Sequence, residues 1–210
     1  MNVVKNSTFS YVDVYVTRIT NTLDFNPIFP IERENEINSI TNERLKREKY
    51  TAWKLLEYAI EKSLDMKIEN AELYKDENGK WRSPYFELSI SHSDSVAAVV
   101  ISHAPVGIDL EPLYKTLSES FAKKNLTENE YSEYEARRES QKNEFLLTRW
   151  CVKEAVFKRN GGKVFFPSKI DPDKKEIFTT RFVMDANEFV CAVAGVISEV
   201  LPRFSIIENV

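Results

Sequence analysis

Glycine is scarce in this chain of 210 residues: five are present, no tract is compositionally biased, and 42% hydrophobic residues accompany 30% charged ones. That balance excludes the fibrous and disordered classes and is ordinary for a folded protein with a sizeable core. Cysteine is scarcer still, limited to Cys151 and Cys191, both in apolar segments. Two such thiols argue against a disulfide framework and a zinc site, and they fit a reduced cytosolic core. No excess of one charge sign exists either. A net charge of −4 advertises neither a nucleic-acid nor a membrane partner, so an anion site has to be built from a local cluster of lysines and arginines. Long hydrophobic runs are also missing: Phe189 to Ile197 is the longest, far short of the ~20 residues of a membrane helix. The N-terminal "MNVVKNSTFSYVDVYV" is interrupted by Asn, Ser and Asp13 and does not read as a signal peptide. A cytoplasmic location is expected.

What is present divides into alternating and helical segments. Residues 11 to 19 alternate and are rich in β-branched and aromatic types, which predicts a strand. After Pro27 and Pro30, Leu45, Ala52, Leu55, Leu56, Ala59 and Ile60 recur at helical spacing from about Thr41 to Leu64, and the first half of that helix is basic. "YKDENGKW" carries an Asn-Gly turn signal before strand-like "YFELSIS". The apolar run Val96 to Ile101, the turn "SHAP" and the alternating "VGIDLE" together predict a β-hairpin over Val96 to Glu111. Helices follow in "LSESFAKKNL", in "TENEYSEYEARRE" with a Thr127/Glu130 capping box, and from about Gln141 to Arg159, stopped at Asn160-Gly161-Gly162. Strands near Glu176 to Met184 and Glu188 to Ile197 complete the order. With no linker and no obvious internal repeat, the fold class is α+β.

Two groups of residues carry chemistry. In "VGIDLE" the period of two places Asp109 and Glu111 on one face, about 7 Å apart by the ~3.3 Å rise per residue. Like charges that close repel unless a cation separates them, and an oxygen-only pair suits Mg²⁺. The competing explanation is a solvated strand end. In the last helix Glu154 and Lys158 lie on the same stripe as Leu147 and Cys151, where a buried carboxylate is costly unless paired or metal-bound. An i,i+4 Glu-Lys pair accounts for the spacing but not for that position. His92 stands among Ser89, Ser91 and Ser93, a donor set suited to phosphate oxygens as well as to an ordinary turn. His103 is a turn residue. Arg44, Lys46, Arg47 and Lys49, with Lys80, offer a local positive patch or simply a solvated helix face.

"SISHS", "GIDLE" and "WCVKEAVFK" followed by "RNGGK" stand in one order, and together they resemble the 4′-phosphopantetheinyl transferases, in the length class of the surfactin-synthetase-activating (Sfp-type) enzymes. The likeness covers roughly Thr41 to Gly195. It implies two similar α+β halves related by a pseudo-twofold axis, here taken as residues 1–101 and 102–210, in a monomer with coenzyme A between them. It also implies Mg²⁺-dependent transfer of the 4′-phosphopantetheine arm to a serine of an apo acyl, peptidyl or aryl carrier protein, releasing adenosine 3′,5′-bisphosphate. By position, Asp109, Glu111 and Glu154 match the family's metal-binding carboxylates, with Glu154, Glu111 and Lys158 as the catalytic set. His92, Ser91, Lys80, Lys153 and Lys158 match coenzyme A contacts, and Arg47 and Lys49 stand for the family's adenine-side basic residues. Trp81 replaces the proline of the family's Gly-Lys-Pro turn, and the capping box accounts for Glu130. Two other functions compete: a Mg²⁺-dependent nucleotide or coenzyme A phosphohydrolase, and a non-catalytic carrier-binding protein.

Overall fold

Alternation along the strands decides the layering. The computed structural model describes residues 11–21, 23, 28–171, 174–196, 200–208 and 210. The segment before Tyr11, Pro27 and Ile197, all used in the sequence reading, lie outside them. Strand β1 (Val12–Arg18) is followed by helices α1 (Ile31–Asn38) and α2 (Glu43–Leu64), the short β2 (Tyr74–Lys75) and β3 (Trp81–Arg82), then β4 (Glu87–Ser93) and β5 (Val96–Ser102). The second run comprises β6 (Gly107–Pro112), helices α3 (Glu119–Asn125), α4 (Glu128–Glu135) and α5 (Glu139–Asn160), and strands β7 (Ile177–Met184), β8 (Asn187–Ala194) and β9 (Arg203–Ile207).

The fold is α+β, with a four-stranded sheet in the order β4-β5-β1-β9 and a three-stranded sheet in the order β6-β8-β7. Ala97, Val99 and Ile101 of β5 pack with Trp53, Leu56 and Ile60 of α2. Their neighbours Val96, Ala98 and Val100 point the other way, into a core shared with Ile108, Leu110, Cys191 and Val193 of the second sheet. Val190, Ala192 and Ala194 then turn outward to Cys151, Val152 and Ala155 of α5. Period-two alternation thus serves two cores at once, which explains why β5 and β8 read as solid apolar runs. The layers run α2, first sheet, second sheet, α5.

Each sheet holds the same strand–helix–strand–strand succession: β1, α2, β4, β5 in one and β6, α5, β7, β8 in the other, with the first strand hydrogen-bonded to the last in both. Strand β9 joins the first sheet parallel to β1. Two elements were not legible in the sequence: the polar, eight-residue α1 and the short β9, three of whose five residues are apolar. The predicted hairpin over Val96 to Glu111 is not formed. Strand β5 already has partners on both edges, β4 and β1, and β6 pairs with β8. Pro105 turns the chain from one sheet into the other.

Both long helices have defined ends, and the stop expected at Gly161 holds. Asn42 caps α2 by accepting from the Leu45 amide at 3.0 Å, and Gly161 ends α5 in the left-handed conformation. Among the described residues no helix is long and apolar enough to cross a membrane.

Gly107 fixes how closely β6 approaches α5. A Cβ there would stand 2.0 Å from the Ala155 carbonyl oxygen and 2.4 Å from the Arg159 amide nitrogen. Both obstacles are backbone, which cannot rotate aside. Gly107→Ala is expected to cost about 3 kcal/mol, the upper end for overpacking, read as a lowered urea midpoint at unchanged slope.

Candidate active site

The edge strands of the two sheets, β4 and β6, lie side by side, and serine hydroxyls replace a backbone ladder between them. Ser89 Oγ accepts from the Ile108 amide at 3.2 Å, Ser91 Oγ donates to Asp109 Oδ1 at 2.8 Å, and Ser93 Oγ donates to Glu111 Oε2 at 3.2 Å. Alternation explains the division of labour on β4. The serines face β6, whereas Leu88 and Ile90 pack on the α2 side and His92 approaches Glu48 of α2, with Nδ1 3.3 Å from Oε2.

Along this seam opens a cleft of about 310 Å³ lined by His92, Asp109, Glu111, Trp150, Glu154 and Lys158, together with Ser91 and Ser93. Asp109 and Glu111 are 6% and 7% exposed, and each is held by a lysine. Lys158 Nζ donates to Asp109 Oδ1 at 2.6 Å and to Ser91 Oγ at 3.0 Å. Lys115 Nζ donates to both Glu111 oxygens at 2.9 Å. Glu154 lies half-buried opposite them. Burial, and after it the charges of Asp109 and Glu111, push its carboxyl above the usual range, against the lowering pull of Lys158 and Lys115. The ammonium of Lys158 is held above its ordinary value because Asp109, its hydrogen bond and Glu154 outweigh desolvation.

His92 is depressed below its ordinary 6.5, first by burial; Glu48 opposes this, while Lys158, Lys49 and Arg33 add to it. His92 and Lys158 line the cleft, and the charges of Lys49 and Arg33 are felt at the imidazole. Arg33 was missed in the sequence because its helix is short and polar. Its guanidinium lies 4.8 Å from the Trp53 ring centre, it is 8% exposed, and its Nε has no hydrogen-bond partner among the described residues.

Other expected ligands are placed differently. Lys153 is fully buried, with Nζ donating to Glu130 Oε2 at 2.7 Å, Pro167 O at 2.8 Å and Ile170 O at 2.7 Å. One residue of helix rotates it about 100° from Glu154, away from the cleft. Glu130 therefore does more than cap its helix: it makes the capping box with Thr127 and also neutralises Lys153. The Ser91 hydroxyl is engaged by Asp109 and Lys158. Lys80 lines a neighbouring cavity of about 260 Å³, which shares Ile90 and Lys158 with the cleft. Its Nζ donates to the Lys158 carbonyl at 2.7 Å, and burial lowers its pKa to about 8. Lys49 reaches the His92 end electrostatically, and Arg47 is half-exposed on α2. Among the described residues no three His, Cys, Asp or Glu side chains are drawn together as a metal site.

The paired strand carboxylates and the facing Glu154 and Lys158 fall within a segment that a family model recognises. Residues 105–192 match the 4′-phosphopantetheinyl transferase superfamily. The chain is 27% identical over 84 residues to the 4′-phosphopantetheinyl transferase ffp of Bacillus subtilis, covering 40% of this chain and 37% of the relative. It is 35% identical over 75 residues to a holo-[acyl-carrier-protein] synthase of Mycoplasma mobile, covering 35% and 66%. With the 4′-phosphopantetheinyl transferase gsp of Aneurinibacillus migulanus it shares 30% over 108 residues, 50% and 44% of the two chains. Less than two thirds of each relative is matched. The matched segment contains Asp109, Glu111, Lys153, Glu154 and Lys158, whereas Arg47, Lys49, Lys80, Ser91 and His92 precede it.

The depressed pKa of His92 has a signed consequence. A group whose folded pKa is below its unfolded value contributes stability above the unfolded pKa and loses it as pH falls through the folded one. As pH falls below the ordinary histidine value of 6.5, the wild type should therefore lose stability that His92→Gln does not lose. Urea unfolding of both proteins at several pH values measures the difference, and parallel curves would refute it.

Proposed function

We propose that the chain transfers the 4′-phosphopantetheine arm of coenzyme A to a serine of an apo carrier protein, of the acyl, peptidyl or aryl type, and releases adenosine 3′,5′-bisphosphate. One observation carries this: Asp109, Glu111, Glu154 and Lys158 of the phosphopantetheinyl transferase segment share a cleft with His92 of the other half. The protein acts as a cytoplasmic monomer whose halves, 1–101 and 102–210, are pseudo-twofold related, with coenzyme A between them.

In this reading the coenzyme A pyrophosphate lies between His92 and Lys158. An incoming phosphate adds negative charge beside His92 and Lys158, and it raises the pKa of His92 so that the ring can donate. Lys158 is a fixed cation beside the departing phosphate, where negative charge grows during transfer. The serine hydroxyl attacks the phosphorus that bears the arm, the anhydride bond to the other phosphate breaks, and the hydroxyl proton leaves to a carboxylate. Glu154 suits that acceptor role, because burial has already raised its pKa. Glu111, held by Lys115, is the second carboxylate within the cleft.

Asp109, Glu111 and Glu154 would hold Mg²⁺. The chemistry of the donors suits that ion, three carboxylates against two ammonium groups, although here the three are not drawn together, Lys158 holding Asp109 and Lys115 holding Glu111. When bound, a divalent cation supplies charge neutralisation at the pyrophosphate.

Carrier docking is assigned to the segment after α5. Phe121, Trp150, Phe165 and Phe157 form a run of ring contacts with centroids 4.8, 5.3 and 4.9 Å apart, and its second member, Trp150, is part of the cleft wall. It leads to Phe166, which is 64% exposed, beside Lys163 and Lys169. An apolar patch with basic flanks suits an acidic carrier surface.

The deciding experiment incubates the protein with coenzyme A, Mg²⁺ and a panel of apo carriers, and weighs the intact carriers. Addition of the arm to a carrier is expected, and coenzyme A breakdown without any carrier would favour the phosphohydrolase instead. Glu154→Gln at saturating Mg²⁺ should lower transfer by about a hundredfold or more; near-wild-type transfer would remove Glu154 from both its ligand and base roles. Phe166→Ala should raise the carrier KM and leave coenzyme A binding intact, and the opposite pattern would move the docking surface elsewhere.

A further inference from the structure

The last carbonyls of a helix have no partners within it, and those of α5 are met by a hairpin from the other half of the chain. Lys80 Nζ donates to Lys158 O at 2.7 Å and also reaches Arg159 O at 3.3 Å and Val106 O at 3.4 Å. Two residues earlier, Asn78 Nδ2 donates to Gly161 O at 2.7 Å. An ammonium has three protons, and three carbonyls surround this one. Its charge also opposes the negative end of the helix dipole.

The hairpin tip is fixed by its own bonds. Asp76 Oδ1 accepts from the amides of Asn78 and Lys80 at 2.9 and 3.0 Å, its Oδ2 accepts from Arg82 Nε at 2.9 Å, and Gly79 supplies the left-handed turn residue. Two side-chain donors are thereby presented at set positions. They meet the chain where two functional elements converge. Val106 immediately precedes β6, which carries Asp109 and Glu111, and the captured turn of α5 contains Lys158, one turn beyond Glu154. Gly107 allows β6 and α5 to touch backbone to backbone there.

We propose that Lys80 is a positioning residue: with Asn78 it locks the last turn of α5 to the start of β6, and so sets the spacing across the cleft. Its effect on turnover rests on the transfer reaction proposed above, whereas its effect on the helix end does not. Misplacement of cleft groups by about 1 Å can cost up to a hundredfold in rate while leaving substrate affinity largely intact.

Lys80→Met and Asn78→Ala, singly and together, test this with three readouts on the full chain: amide hydrogen exchange in residues 157–161, coenzyme A affinity by calorimetry, and steady-state transfer to a carrier. In Lys80→Met the helix-end amides should exchange about tenfold faster. The kcat should fall by about tenfold or more, with the KM for coenzyme A within about twofold. Asn78→Ala should move the same quantities in the same direction by less, and the double variant should fall short of the product of the two, because both act on one helix end. A tenfold rise in KM with unchanged kcat and exchange would make Lys80 a ligand and overturn the proposal, as would no change in any readout. If Lys80→Met does not fold, Asn78→Ala alone decides by the same outcomes. If the wild type transfers no arm, the transfer reaction fails, and the exchange data still decide the lock.

Discussion

Everything chemical in this protein depends on one seam, where the edge strands of two sheets are joined through side chains. A backbone ladder between β4 and β6 would have used the peptide groups and left no room for a cleft. Serine hydroxyls instead bridge the gap, and two of them end on the carboxylates Asp109 and Glu111. The same bonds that hold the halves together therefore orient the acidic groups. Burying these acids is tolerable only because Lys158 and Lys115 lie within hydrogen-bond reach of them.

The seam also gathers charge from both halves. His92 of β4, beside Glu48 of α2, lies on one side, and Asp109, Glu111, Glu154 and Lys158 of β6 and α5 lie on the other. A phosphorylated ligand that uses both sides is served where the halves meet, and that accounts for the position of the cleft.

Much of this was legible in the sequence because the periods were clean. Alternation in "VGIDLE" put Asp109 and Glu111 on one face, and the apolar stripe of α5 carried Glu154 and Lys158 toward them. Both placements hold. The failures have physical causes. The hairpin expected over Val96 to Glu111 looked local, but strand pairing is decided by competing partners at long range, and β1 and β8 win. Lys153 shares a motif with Glu154 yet points elsewhere, because adjacent helical residues diverge by about 100°. Arg33 and Glu48 lie on polar helix faces, and only the approach of β4 to α2 gives them a role beside His92. The basic run on α2 gave no means of choosing among its members.

Strand β9 ties the order of assembly to the topology. It pairs in parallel with β1, and the hydroxyl of Thr17 donates to Ile207 O across a sequence separation of 190 residues. The first sheet is thus completed by residues that follow the whole of the second, so the amino-terminal strands emerge during synthesis with one edge bare. Contacts this distant in sequence are slow to form. Until they do, the β1 edge is a template for pairing with another chain, which makes the nascent state, more than the native one, the vulnerable form of this protein.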